Sequence, residues 1–382
     1  MTPELPHPLA TTAYEYAEAW KSAGLKGGAA AGLDAYRRLL RTGDASSIPA
    51  PFDVADALAP AIHDQIRSDG PQGETVKLLM TIPADALGRS QAERDAAGQG
   101  RTLPVECVVI PMINTKGDLS HTLCVSSQVG CAMGCGFCET AQMGLIRDLT
   151  PEQIVAQWWR ANHFHALPAG KRMTNIVFMG MGEPLDNADS VLRAIEILTD
   201  RNGANVAMSK ITVSTVGRVD GIRRLKQKCL EHGWHRLGLA VSVNAPNDRV
   251  RDSIMPINRR WDMAELRASL VDFPRTSRNK IMIEYVLIPG VNDAPEHADE
   301  IAAWCLGLPC CLNIIPYNPR RDSPWPAPTE DSVRAFLERC RSRGVFVKRR
   351  QTKGRDTMAA CGQLGVEHIR KRRLVTPTVS AG

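Results

Sequence analysis

A chain of 382 residues, 43% of them apolar, is long enough to bury one large core and a smaller one, which excludes a wholly disordered protein. Its eleven cysteines are unevenly spaced and include the adjacent pair Cys310–Cys311, which argues against a secreted disulfide framework and for a reducing, cytoplasmic setting. The opening MTPELPHPLA has no basic stretch followed by an apolar one, and no window is apolar over about 18 residues, so neither a secretory signal nor a membrane span is expected.

The net charge of +6 is unevenly placed: Arg339–Arg373 carries +10 and the rest of the chain −4. A basic end on a mildly acidic body suits a polyanionic partner, although a solvated tail would read the same way.

In chain order, residues 1–70 read as helical, with candidates at Tyr14–Ser22, Ala29–Arg41 and Phe52–Ile66, the last set off by Pro-Ala-Pro at 49–51. Two strand-like runs follow, Val76–Ile82 and Val105–Ile110, around a polar insert at Gly88–Arg101. From about residue 120 the pattern alternates. Strands are expected at Leu123–Ser126, Asn175–Met179, Lys210–Thr215, Leu237–Val243, Lys280–Ile288 and Cys311–Tyr317. Helices are expected at Pro151–Asn162, Asp189–Thr199, Gly221–His232, Met263–Leu270, Pro295–Cys305 and Glu330–Arg343. Thr150 is placed as an N-cap before Pro151, with Gln153 at the reciprocal position. Strands alternating with helices predict an α/β fold with a parallel sheet, and the lack of a G-x-G-x-x-G after any strand argues against a dinucleotide-binding version. A barrel or partial barrel is the alternative, and there the chemistry sits at the C-terminal ends of the strands.

The most informative local pattern is Cys131, Cys135 and Cys138 in GCAMGCGFCET. Three thiolates on so short a loop can each reach a different iron of one cube. Most such clusters take four cysteines, so three leave one iron open to bind a small molecule. A zinc site completed by a fourth ligand is the competing reading. Polar or glycine-rich residues follow the strands: the cysteine loop itself, GMGEP at 180–184, Ser214, Ser242 with Asn244, and Asn318. Turn chemistry alone also places Gly, Asn and Ser there, but it does not predict a cysteine cluster at the same mouth.

Taken together, CVSSQVGCAMGCGFCETAQMG at 124–144, GMGEPLDN at 180–187, APND at 245–248 and AACGQL at 359–364 resemble the radical SAM RNA methyltransferases of the RlmN/Cfr family. The resemblance runs from about Glu106 to Gly365 and is weak over residues 1–100. It implies a partial (β/α)6 TIM-like radical SAM barrel with a small helical N-terminal accessory domain. The corresponding division is 1–75 helical accessory domain, 76–115 β linker element, 116–345 barrel, and 346–382 basic segment.

It also implies one 4Fe-4S cluster held by Cys131, Cys135 and Cys138, and two molecules of S-adenosylmethionine (SAM). One SAM methylates Cys361. The other is cleaved reductively to a 5′-deoxyadenosyl radical that takes a hydrogen from the methylated cysteine. The methylene radical adds to an adenine carbon too electrophilic to attack SAM directly. Cys124 then resolves the protein–RNA adduct and leaves a disulfide with Cys361. Glu106 is the expected base, a role suited to a carboxylate in a closed site. An outward-facing strand residue is the competing reading for Glu106, and a small buried hydrophobe for Cys124. The remaining cysteines match no family role and read as core.

For SAM, the resemblance carries over Gly182, Glu183, Ser214, Ser242, Val243, Asn244 and Asn318. Asn244 departs from the histidine usual in the family. Glu139 departs from a small residue, and its charge beside a cluster would lower the reduction potential. Lys353 replaces an arginine and can still meet a phosphate. The substrate implied is adenine in 23S rRNA, with tRNA as a second substrate, modified at carbon 2. A Cfr-like carbon 8 outcome and a non-RNA substrate are the alternatives, and a zinc-stabilised RNA-binding protein is the non-enzymatic one. A flavodoxin or ferredoxin as electron donor and a monomeric, cytoplasmic enzyme complete the expectation.

Overall fold

The computed structural model describes residues 5–50, 52, 59–83, 102–113, 117–163, 167, 171–274, 276, 280–354 and 357–365. Helices are α1 (Ala13–Ser22), α2 (Gly28–Thr42), α3 (Pro151–His163), α4 (Ala188–Thr199), α5 (Val219–Cys229), α6 (Asp248–Ile254), α7 (Met263–Val271), α8 (Pro295–Cys305) and α9 (Glu330–Ser342). Strands are β1 (Ile62–Ser68), β2 (Thr75–Pro83), β3 (Thr102–Ile113), β4 (Leu119–Cys124), β5 (Gln128–Gly130), β6 (Leu145–Asp148), β7 (Met173–Phe178), β8 (Ile211–Thr215), β9 (Gly238–Ser242), β10 (Ile281–Leu287), β11 (Cys310–Pro316) and β12 (Val347–Arg349). The chain divides into two compact units. One comprises Met1–Val129, Arg147–Gly180 and Asn187–Ile211, the other Gly130–Ile146, Met181–Asp186 and Thr212–Gly382.

In the first unit β1, β2, β3 and β4 form an antiparallel run, and β7 joins β4 in parallel. The expected helix over Phe52–Ile66 is overturned in its second half, because Ile62–Ser68 is a strand. Its backbone groups pair with β2 from Ile62↔Met80 to Ser68↔Thr75, and this non-local ladder outweighs local helix propensity. Residues 53–58 of that expected helix and the polar insert at 88–101 lie outside the described residues. Helix α1 starts in a capping box, with the Thr12 hydroxyl and the Glu15 carboxylate each accepting from the other's backbone amide. At α3 only half of the expected box forms. Gln153 Oε1 accepts the Thr150 amide at 3.1 Å, while the Thr150 hydroxyl is buried without a hydrogen-bond partner. The N-terminal helices pack on α3 and α4: Trp159 Nε1 donates to the Leu39 carbonyl at 2.9 Å and the Ala13 amide to Asp200 Oδ2 at 2.6 Å.

In the second unit β8, β9, β10, β11 and β12 are neighbours in that order, all parallel. Ile211, Val213, Leu239, Val241, Ile283, Tyr285, Leu312 and Ile314 lie on one face and are buried. The other face carries the polar positions Thr212, Ser214, Ser242, Glu284 and Asn313, and register aligns Ser242, Glu284 and Asn313 across three strands. Alternation of period two thus separates an apolar side from a polar one. The expected parallel α/β arrangement is the one found, with element boundaries moved by no more than four residues and Pro295–Cys305 unchanged.

Candidate active site

The cysteine loop belongs to the second unit from Gly130 to Ile146. Strands β5 and β6 close its base, and the Cys131 amide donates to the Gly144 carbonyl at 3.0 Å. Gly130 has φ 78, and a Cβ there would lie 1.9 Å from the Gly144 carbonyl oxygen, so only glycine fits this close approach. Further along, the Gly136 amide donates to the Ile254 carbonyl at 2.9 Å and Arg320 Nε to the Gly136 carbonyl at 2.9 Å. Cys135 and Phe137 share an apolar cluster with Ile254, Met255, Ile288, Tyr317 and Trp325, against which Cys138, Val216 and Val286 pack. Val216, Ile288 and Tyr317 each lie just past a strand C-terminus, so the loop sits over the C-terminal ends of β8, β10 and β11.

Cys131 and Cys135 are buried and Cys138 half-buried. Desolvation pushes all three thiols above the ordinary thiol value. Thiolates at these positions need a compensating positive charge, which bound iron would supply. Three soft sulfur donors on one short, braced loop are the donor type an iron–sulfur cluster takes, although among the described residues no three His, Cys, Asp or Glu side chains are gathered into a ready-made metal site.

Glu183 follows Gly182, whose φ of 103 suits glycine. Glu183 is buried, and its two carboxylate oxygens accept from the Leu185 amide at 3.0 Å and the Val216 amide at 2.8 Å. Desolvation nevertheless raises its pKa to about 7. Ser214 and Ser242 project from the polar side of the sheet. The Val243 and Asn244 amides donate to the Glu284 carbonyl at 3.1 and 3.2 Å. Asn318 is buried just after β11.

Asn244 is buried and left-handed at φ 56, a conformation asparagine tolerates better than most residues. Its side chain accepts from the Val286 amide at 2.9 Å and its carbonyl from Asn292 Nδ2 at 2.8 Å. The side chain thus braces β9 against β10.

The Cys361 segment is in the same unit. The Glu139 amide donates to the Gly362 carbonyl at 2.7 Å and Thr140 Oγ1 to the Leu364 carbonyl at 2.6 Å. Gln363 Nε2 donates to the Pro319 carbonyl at 2.9 Å. Cys361 itself is half-buried. The carboxylate of Glu139 is buried, but Arg321 Nη1 stands 3.7 Å away. A cation at that distance offsets part of the field of Glu139.

Cys124 and Glu106 belong to the first unit. The pairing of Val108 with Cys124 places both residues on one face of β3–β4, and Ser126 Oγ donates to the Glu106 carbonyl at 2.6 Å. Glu106 is buried and forms an ion pair with buried Lys77 at 3.2 Å, so the outward-facing reading is excluded.

Several structural contributors were not legible as motifs. Arg251 is fully buried on α6. Its Nη2 donates to the Val216 carbonyl at 2.6 Å and the Ser242 carbonyl at 3.3 Å, its Nε to the Val243 carbonyl at 3.1 Å, and its Nη1 to Asn258 Oδ1 at 2.9 Å. Asn292, Arg320 and Arg321 are similar cases. The one available signal for Arg251 was its place four residues after Asn247, which caps α6.

A parallel sheet with a three-cysteine loop over its strand ends defines the class, and the Radical SAM superfamily matches residues 125–304. Among curated relatives, the dual-specificity RNA methyltransferase RlmN of Lawsonia intracellularis is 43% identical over 267 residues, covering 69% of this chain and 73% of the relative. RlmN of Anaeromyxobacter dehalogenans is 44% identical over 267 residues, covering 69% of each. The crystal structure of a radical SAM methyltransferase from Sphaerobacter thermophilus superposes with a TM-score of 0.76 at 36% identity, covering 93% of this chain and 98% of that one. The chain belongs to the RlmN family of radical SAM RNA methyltransferases and is an enzyme of that class. Among the described residues, no helix is long and apolar enough to cross a membrane.

Proposed function

We propose that this enzyme methylates carbon 2 of an adenine in 23S rRNA, with tRNA as a second substrate, through a methyl group carried on Cys361. The observation that carries this reading is the docking of residues 362–365 onto Glu139 and Thr140, which directly follow Cys138. A carrier thiol has to stand near the place where SAM is cleaved, and these hydrogen bonds tether its segment to the cysteine loop.

Cys131, Cys135 and Cys138 would hold the cluster, and the cluster, when bound, supplies the electron for reductive cleavage of SAM. Glu183 attracts the ammonium of the methionine moiety. Ser214 and Ser242 offer hydroxyls to the nucleoside part from neighbouring strands, with Gly182, Val243, Asn244 and Asn318 shaping the same cradle. Cys361 accepts the methyl as a thiolate and gives up one of its hydrogens when the carbon is transferred. Glu106 takes the proton released from the adenine adduct, and Lys77 holds its carboxylate in place. Cys124 attacks the Cys361 sulfur as a thiolate, so that a disulfide forms while the bond from that sulfur to the transferred carbon breaks and the carbon takes up a proton to become the product methyl; a dithiol reductant must then open the disulfide before the next turnover. A flavodoxin or ferredoxin is the proposed electron source, and the monomer the proposed working form.

Mass spectrometry of the protein expressed with SAM available tests the reading. The expected result is a gain of one CH2 unit localised to Cys361 and absent in Cys361→Ala. An unmodified Cys361 in active enzyme overturns it. Mapping the modified base in the RNA product then separates carbon 2 from carbon 8.

A further inference from the structure

Among the described residues the carboxylate of Glu139 is about as buried as any acid, at 1% exposure, and has Arg321 Nη1 at 3.7 Å. Removing a buried acid from water is costly unless a cation and hydrogen bonds compensate. Arg321 does more than compensate. The same Nη1 donates to the Gly365 carbonyl at 3.2 Å, so one guanidinium joins the residue after the last cluster cysteine to the end of the Cys361 segment. Gly365 packs directly on this acid, since a Cβ there would stand 2.9 Å from Glu139 Cγ. From the other side, the Glu139 amide and the Thr140 hydroxyl hold the Gly362 and Leu364 carbonyls at 2.7 and 2.6 Å. Every carbonyl held here is a backbone group within four residues of Cys361. The contacts therefore set the path of the chain and leave its thiol unengaged by the latch.

We propose that Glu139 and Arg321 are positioning residues, an ion-pair latch that holds residues 362–365 against the cysteine loop and thereby fixes where the Cys361 thiol stands. The inference rests on the carrier role proposed above, because a fixed thiol matters to catalysis only if it carries the methyl. Arg321 closes the latch by binding a side chain and a main-chain carbonyl at once. Arg321→Ala removes the cation and the Gly365 hydrogen bond together, whereas Arg321→Lys keeps the charge and a single donor nitrogen.

The test uses the full chain reconstituted anaerobically with iron and sulfide. Four quantities are measured for wild type, Arg321→Ala, Arg321→Lys and Arg321→Gln. These are iron per chain, the visible absorbance of the cluster, the rate of iodoacetamide alkylation at Cys361 read by peptide mass spectrometry without SAM, and methyl occupancy of Cys361 after incubation with SAM. Losing one or two such hydrogen bonds predicts about tenfold faster alkylation of Cys361 in Arg321→Ala, with iron and absorbance unchanged. Methyl occupancy falls severalfold, and Arg321→Lys recovers most of both losses. If Arg321→Ala fails to load iron, Arg321→Gln decides, since it removes the cation from Glu139 while keeping most of the side chain's volume. Alkylation within about twofold of wild type in the deciding variant overturns the latch. Faster alkylation in a protein whose Cys361 is never methylated supports the latch and sinks the carrier role, so the two failures are distinct.

Discussion

Glu183 shows how one side chain can be pulled two ways. Two backbone amides stabilise its charged form, yet burial dominates and its pKa rises from 4.5 to about 7. Between those values the folded protein keeps a proton that the unfolded chain has released. The carboxyl's contribution to folding stability is therefore fully present below about pH 4.5 and declines as pH rises toward 7. Ligand binding runs the opposite way, because only the carboxylate attracts an ammonium. SAM affinity, measured calorimetrically on anaerobic protein, should strengthen about eightfold between roughly pH 6 and 7.5, and Glu183→Gln should abolish that dependence. A flat wild-type profile would remove Glu183 from the ammonium site. Asn244 makes a different point at the same scale. A left-handed backbone and a hydrogen bond to the Val286 amide give asparagine a structural use where the family usually has histidine.

At the scale of the element, a seven-residue helix does more than its length suggests. Asn247 caps α6 through the Val250 amide, and the helix delivers Arg251 to three carbonyls at the C-terminal ends of β8 and β9. These are the strand ends that carry Ser214 and Ser242–Asn244. Burial lowers the pKa of Arg251 to about 10, but it remains a cation at any physiological pH. Arg251→Leu keeps much of the volume and leaves those carbonyls without their donor. It should cost about 3 kcal/mol in urea unfolding and weaken SAM binding in whatever protein remains folded. A loss below about 0.5 kcal/mol would mean that water replaces the guanidinium at no cost.

For the whole molecule, charge distribution bears on the RNA. The +10 window from Arg339 to Arg373 is partly spent on internal pairs, with Arg339 and Arg343 both engaging Asp299 and Arg349 engaging Glu330. Residues 366–382, with Arg370 to Arg373, lie outside the described residues. Phosphate contacts by even about four cations predict a loss of RNA affinity on the order of a hundredfold between roughly 50 and 200 mM salt. Truncation after Gly365 should flatten that dependence while leaving methylation of Cys361 intact. Filter binding at several salt concentrations reads the first and mass spectrometry the second. An unchanged salt slope would assign the tail to solvent.

The sequence alone determined what depends on neighbours in the chain. The C-x3-C-x2-C loop, the strand–helix alternation from residue 120 and the glycine before Glu183 are local patterns, because spacing and periodicity follow directly from backbone geometry. Tertiary structure decided what depends on partners far along the chain. Ile62–Ser68 became a strand by pairing with Thr75–Pro83, and Glu139 found its cation at Arg321. Thr140 meets Leu364 across 224 positions, and Arg251 is buried only because three strand-end carbonyls await it. No spacing rule reaches that far, since such contacts form only when the chain has lost its conformational entropy to the fold as a whole.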